Sequence, residues 1–391
     1  MFWKLISLLV CLTSVQAQML TFSRAEEVDI SSERLSRIDA VVYSAIKKNE
    51  VPGAVVLVTR RGKIVYRKAF GDRSLVPAVE AMTVDTIFDM ASLTKVMVTA
   101  TSIMILVEEG KIALTDSASE YLPRFARYGK GAITLLQLLT HHSGLRPDLD
   151  LDDSWQGYAS ALERVYLEQL LVLPGKKFVY SDINYLVLAE IIRQISGKSL
   201  HEFSSERIFK PLGMSETGFM LPHKLHFRVA PTEFREGKML RGEVHDPTAF
   251  RMGGEAGHAG LFSTPDDTAI YAQMILNQGS YGGVRILSPL SVLKMTTSQS
   301  PVGSKNWRGV GFDIRTSLST NRGDLFPIGS FGHTGFTGTS FWIDPYSEVA
   351  VLVFTSRLHP DGQGNVTPLR KRIASVVAAS LIDILSPRKL Y

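Results

Sequence analysis

Ser92 and Lys95 stand three residues apart in "FDMASLTKVMVTATSIMILVEEG", residues 88–110. The apolar run that follows them predicts a helix, on which positions three apart share a face. A lysine one turn into such a helix is partly desolvated, which disfavours its charged form and lowers its pKa. A neutral amine beside a serine can take the hydroxyl proton. A serine at the helix N-terminus also has its developing oxyanion facing free backbone N–H groups and the positive end of the helix dipole. Taken alone the pattern is weak, because S-x-x-K recurs by chance and a serine at a helix start is commonly a cap.

Two further elements support the pair. "YSDINY", residues 180–185, places Tyr180 and Asp182 just ahead of another helical pattern, with Ser181 or Asp182 able to cap it. "FGHTGFTG", residues 331–338, puts His333, Thr334 and Gly335 at the start of a strand. The order S-x-x-K, then Tyr-x-Asn or Ser-x-Asn, then His/Lys-Thr-Gly is that of the penicillin-recognising serine enzymes. The chain resembles the branch that holds class C β-lactamases, DD-peptidases and serine esterases. The resemblance runs over nearly all of residues 35–385 and includes "LLTHHSGL", "IFKPLGMSETGF" and "GGEAGHAGLFSTPDD". Within the branch it is nearest to exported low-molecular-weight penicillin-binding proteins of the class C type.

That resemblance implies Ser92 as an acylated nucleophile and Lys95 as a base acting in concert with Tyr180, with the order of proton transfer between the last two left open. It implies an oxyanion hole from the backbone N–H groups of Ser92 and Phe336. It also implies a strand edge at His333, Thr334 and Gly335 that holds the substrate's carbonyl or carboxylate. Two positions depart from the pattern. Asp182 stands where Asn is usual; if ionised, it stabilises a charged Lys95 and opposes the lysine's role as base. His333 stands where β-lactamases of this type carry Lys, and a half-neutral imidazole attracts a carboxylate less. Both departures argue against an efficient β-lactamase and leave peptidase and esterase chemistry open.

The elements that must position these residues alternate in type along the chain. "SSERLSRIDAVVYSAIKKNE" predicts a helix with Leu35, Ile38, Val42 and Ile46 on one face and Ser32 as a cap. "GAVVLVT" and "KIVYRKAFG", joined by "RRG", predict a strand pair. The middle reads as helical in "ITLLQLLTHHSGL", "INYLVLAEIIRQISG" and "DDTAIYAQMILNQG". Strand patterns return in "GVGFDIR", "TGTSFWIDP" and "EVAVLVFTS", and "LRKRIASVVAASLIDIL" closes as a helix. The expectation is an α/β (α+β) fold: an antiparallel sheet built from both chain ends and flanked by helices, with an all-helical lobe inserted. Residues 18–391 then form one bilobal domain, with a sheet lobe at about 31–90 and 300–391 and a helical lobe at about 91–299.

The remaining features bound the function. A hydrophobic content of 45% and a charged content of 21% suit a globular chain with a large core. The net charge of +5 is spread without a patch, so no nucleic-acid partner is expected. "MFWKLISLLVCLTSVQA" predicts a secretory signal over residues 1–17, since Lys4 precedes an apolar run too short for the roughly 20 residues a membrane span needs. Cleavage there leaves no stable membrane span, removes the only cysteine, Cys11, and predicts a periplasmic or secreted bacterial protein.

No metal and no other cofactor is expected, because His223, His226, His245 and Asp246 lack a zinc-site spacing. His141 and His142 read as structural, His258 as a group that could touch substrate, and Trp155 and Tyr158 as packing or a rim over the site. The expected partner is a small-molecule or peptide substrate, with peptidoglycan or a β-lactam as candidates. The leading function is a DD-carboxypeptidase-like serine hydrolase. Serine esterase and weak β-lactamase stand next, and a penicillin- or peptidoglycan-binding sensor without turnover is the rival from another class.

Overall fold

The structure, a computed structural model, describes residues 19–383; the segment read as a secretory signal lies outside them. A nine-stranded sheet is assembled from the two ends of the chain. Along its main path the order is Thr21–Phe22, Lys63–Ser74, Gly53–Arg60, Val349–Phe354, Ser340–Asp344, Phe331–Thr334, Asp313–Arg315 and Trp307–Arg308, and Glu80–Ala81 pairs with Lys63–Ser74. The pairings are antiparallel except at one edge, where Thr21 aligns in parallel with Lys63. The sheet is therefore mixed rather than purely antiparallel.

The run "AVVLV" in Gly53–Arg60 has no polar alternation because both faces of the sheet are covered. Ala54, Val56 and Val58 join Ile38, Val42, Leu369, Ile373 and Val377 in a core under the helices Arg37–Lys47 and Thr367–Ser380. Val55 and Leu57 point the other way, into the larger core that continues through the middle of the chain. Each such Val or Leu contributes about 1.5–3 kcal/mol by leaving water. The first helix is capped by Ser31, whose side chain accepts from the Arg34 N–H, rather than by Ser32.

The middle of the chain is not all helical. Phe88–Asp89 and Gly218–Phe219 both pair with Leu261–Ser263 in a small antiparallel sheet, and Asp89 aligns with Phe262. These strands of two or three residues carry too little periodicity to show in the sequence. "ITLLQLLTHHSGL" yields only the short helix Leu135–Leu139, since Thr140 and His141 leave helical geometry and His141 adopts φ 60°.

The segment after Ser92 opens as a π-helix, Lys95–Ala100, before continuing as the α-helix Thr101–Glu108. Within it the Val96 carbonyl accepts from the hydroxyls of Thr101 at 2.9 Å and Tyr271 at 3.2 Å. Such wide turns are frequent at functional sites. Residues Lys95 to Leu106 are all buried, which explains why the segment is apolar on every side.

Candidate active site

Ser92 lies in the turn just ahead of that helix, not on it. Ala91 before it is held at φ 45°, a left-handed conformation costly for a residue with a Cβ. Asp89 maintains it: one carboxylate oxygen accepts from the Ala91 N–H at 2.8 Å and the other from the His245 N–H at 2.7 Å. The loop after Phe331–Thr334 is stitched to the same turn, with Thr337 Oγ1 donating to the Asp89 carbonyl at 2.7 Å and Thr339 Oγ1 to the Met90 carbonyl at 3.2 Å. A Cβ on Gly335 would stand 2.3 Å from Thr339 Oγ1 and 2.6 Å from the Met90 carbonyl, so only glycine permits this approach. His333 and Thr334 end their strand rather than begin it, which leaves Gly335 and Phe336 in the loop beside Ser92.

Lys95 is fully buried. Its ammonium lies 2.9 Å from Ser92 Oγ, 2.6 Å from Asp182 Oδ1 and 3.1 Å from the His258 carbonyl oxygen. Burial by itself pushes the lysine down, but the Asp182 carboxylate and Tyr180 outweigh it and hold the pKa above the ordinary lysine value. The expectation of a neutral amine is thereby overturned. Asp182 sits at the N-cap of Ile183–Ser196 but makes no capping bond, because its carboxylate is turned to the lysine.

Tyr180 is fixed from behind by His141, whose ring stacks on it at 4.3 Å between centroids and 25° between planes. His141 Nδ1 accepts from the Ser181 N–H at 3.0 Å, and burial, with Arg308 and Lys95 nearby, pushes its pKa down and keeps it neutral. His141 is thus structural, as expected, and supports the tyrosine. The Lys95 ammonium stands 5.1 Å from the centre of the Tyr180 ring.

Ser92, Tyr180, His333, Thr334, Gly335 and Phe336 all line one cleft of about 580 Å³. His333 is buried and, through burial and the charges of Arg308 and Lys95, falls well below the usual imidazole range; it is neutral at pH 7 rather than half-charged. With Nδ1 donating to the Thr334 carbonyl at 2.9 Å, Nε2 is left as an unpaired acceptor.

Positive charge in the cleft comes instead from arginines that the sequence analysis passed over. Arg308 and Arg370 line it and both are buried; among the described residues Arg308 Nε and Nη1 and Arg370 Nε have no hydrogen-bond partner, though Arg308 Nη1 stands 3.9 Å from the Asp313 carboxylate. Burial, and then Arg357, push Arg370 down to about 9, which leaves it charged at neutral pH. Its position was signalled in the sequence, because Arg370 shares the buried stripe of its helix with Ile373, Ala374 and Val377.

Other expected groups lie elsewhere. His258 turns its ring to Asp246, 2.8 Å away, and reaches the site only through its carbonyl. Trp155 is buried and donates to the Asp150 carbonyl, while Tyr158 donates to Glu190; both are packing rather than a rim. The four residues weighed as zinc ligands do not converge: the His223 and His226 rings lie tilted against each other, His245 pairs with Glu233, and Asp246 with His258.

Comparison with known proteins places the chain. The family profile described as Beta-lactamase matches residues 38–375. The chain belongs to the β-lactamase family. An Escherichia coli K12 relative named "Putative D-alanyl-D-alanine carboxypeptidase" is 32% identical over 394 residues, covering 90% of this chain and 90% of the relative. A penicillin-binding protein homolog from Caulobacter crescentus superimposes with a TM-score of 0.73 at 22% identity, covering 90% of this chain and 99% of the other. EstCE1, described as a hydrolase with promiscuous acyltransferase activity, does so with a TM-score of 0.71 at 22% identity, covering 88% and 99%. These last two likenesses are of fold. The chain is a serine hydrolase of the β-lactamase family, and no helix among its described residues is long and apolar enough to cross a membrane.

Proposed function

We propose that this β-lactamase-family chain is an exported carboxypeptidase that releases the terminal D-alanine from cell-wall peptides through an acyl-enzyme on Ser92. We read residues 1–17 as its secretory signal and 18–391 as one bilobal catalytic unit. The observation that carries the substrate is the pair of buried, incompletely bonded guanidiniums of Arg308 and Arg370 in the same cleft as Ser92. A peptide ending in a free carboxylate supplies the planar anion that guanidinium donors match. Each guanidinium already donates to backbone carbonyls, Arg308 to Gly311 and Arg370 to Gly335 and Thr339, and Arg308 also faces Asp313 at 3.9 Å; a neutral ester would give their remaining N–H donors no anion to meet. The name of the E. coli relative agrees with this substrate class.

In the proposed reaction Ser92 Oγ attacks the carbonyl of the penultimate residue. Lys95 is already an ammonium held by Asp182, so it has no lone pair to accept the hydroxyl proton. Tyr180 enters the step as the phenolate, with Lys95 offsetting its negative charge, and takes the proton to become the neutral phenol. The oxyanion forms against the N–H groups of Ser92 and Phe336, neither of which donates elsewhere among the described residues. Tyr180 returns the proton to the departing D-alanine amine, and water then releases the acyl group.

Release of D-alanine from a diacyl-lysyl-D-alanyl-D-alanine peptide tests the reading, with p-nitrophenyl butyrate as the neutral comparison. Turnover of the peptide that is lost in Ser92→Ala supports it. Turnover of the ester with an inert peptide contradicts it and favours an esterase. A stable penicillin adduct with no product favours the sensor, a reading to which the charged Lys95 also lends weight.

A further inference from the structure

Behind Lys95, away from the cleft, lies a second charged group that the proposed reaction does not use. His258 and Asp246 are bonded at 2.8 Å, and His258 is fully enclosed. The acceptor and donor atoms of Asp182, Asp246 and His258 fall within 4.8 Å of one another. The same residue, His258, gives its backbone carbonyl to the Lys95 ammonium at 3.1 Å. Its loop cannot shift freely: Thr99 Oγ1 holds the Gly257 carbonyl at 2.6 Å, and a Cβ on Gly257 would stand 1.9 Å from the Tyr185 carbonyl.

Two carboxylates, each about a fifth exposed, and two buried basic groups are therefore packed together. We propose that the His258–Asp246 pair is a positioning element for Lys95: the imidazole, within 4.8 Å of the Asp182 carboxylate, balances that carboxylate together with the lysine, so that Lys95 keeps a donor on Ser92 Oγ instead of being drawn onto unbalanced negative charge. The role of Lys95 in this statement rests on the hydrolase reading above.

The groups facing His258 come from four segments. Asp246 begins the helix Pro247–Arg251, Asp182 begins Ile183–Ser196, Lys95 comes from the π-turn, and Asp148 comes from the loop that Thr248 Oγ1 reaches at 3.1 Å. Burial opposes the charged imidazole, but Asp246 and Asp182 outweigh it and raise the His258 pKa above its ordinary value. Burial pushes the Asp148 carboxyl up to about 6, so it takes up its proton on the acid side while His258 loses its own on the alkaline side. With His258 neutral, Asp182 and Asp246 share one cation, and the lysine is pulled back from the serine.

The test is an imidazole NMR titration of the full chain in wild type, Asp182→Asn and Asp246→Asn, with His258 assigned by the signal missing in His258→Gln. The His258 midpoint should fall by about one pH unit or more in each Asp variant, since each removes a nearby opposite charge. A midpoint unmoved in Asp182→Asn overturns the sharing of that carboxylate. Alongside it, the alkaline limb of kcat should move to lower pH in Asp246→Asn and disappear in His258→Gln, with KM changed less than kcat. Loss at all pH values with the limb in place would mark the pair as packing only and overturn the proposal. The titration needs no turnover, so a failure of Ser92-dependent hydrolysis sinks the function while the titration still decides the coupling.

Discussion

Lys95 Nζ lies 2.6 Å from Asp182 Oδ1 and 2.9 Å from Ser92 Oγ, so one buried ammonium is bonded at once to a carboxylate and to the proposed nucleophile. The charge in this contact is absent from the Tyr-x-Asn pattern that the chain otherwise follows, which has an amide at this position. It turns the lysine from a candidate base into a fixed cation.

Breaking this pair from the acidic side leaves the buried ammonium without its counter-charge, with only Ser92 Oγ and the His258 carbonyl as partners. Asp182→Ala should destabilise the fold by about 3–5 kcal/mol, measured by denaturant unfolding, whereas Asp182→Asn should cost less because the amide oxygen can still accept from the ammonium. Since the lysine's pKa is raised in the fold, the pair's contribution is complete below the ordinary lysine value of about 10.4 and is lost only as pH climbs beyond it. The Asp182→Ala deficit should accordingly be flat across the neutral range.

Removal of a cleft guanidinium should separate substrates by charge. Arg308→Gln is expected to cost about 2–4 kcal/mol in kcat/KM toward a D-alanyl-D-alanine peptide, roughly 30- to 700-fold. The same variant should change turnover of p-nitrophenyl butyrate by no more than a few-fold, because that ester offers no carboxylate. Equal losses on both substrates would remove the arginine from substrate recognition.

Gly335→Ala places a methyl group where Thr339 Oγ1 and the Met90 carbonyl already lie, at 2.3 and 2.6 Å. The loop must shift and carry the Phe336 N–H with it. Stability should fall by about 1–3 kcal/mol and kcat by roughly 100-fold, with peptide and ester affected alike, as a donor to the oxyanion serves both.

The second ion pair predicts a pH window for stability. Asp246 is held well below the usual carboxylate range: burial opposes this, but His258 prevails, so its contribution is present above about pH 4 and fades as pH falls through the lowered pKa. His258 is raised, so its contribution is complete below about pH 6.5 and is lost as pH rises through the elevated value. Wild-type Tm should hold through mildly acidic pH and decline on the alkaline side. His258→Gln should flatten that decline.

Motifs that are local in sequence were legible there. Ser92 and Lys95, Tyr180 and Asp182, and His333 to Gly335 are each set by spacing along one segment, and the structure brings all but Lys95 and Asp182 to the cleft surface while joining those two behind it. The sheet from both chain ends was legible because its β-branched runs are long. Signs of charge were harder to read. Burial alone predicts a neutral Lys95, and the opposite result depends on Asp182 turning away from its capping position. Arg308 and Arg370 sit far from any motif, and their meaning comes from burial beside Ser92, which only the folded chain supplies. The His258–Asp246 contact joins two loops whose approach no periodicity encodes.

In the proposed reaction Ser92 carries the acyl group. Time-resolved intact-mass spectrometry of the mature protein with a D-alanyl-D-alanine peptide and with a fluorescent penicillin tests it most directly, comparing wild type with Ser92→Ala. The wild type should form a covalent adduct that is absent from Ser92→Ala and should release D-alanine from the peptide. An adduct that persists in Ser92→Ala, or product formed without Ser92, would contradict it.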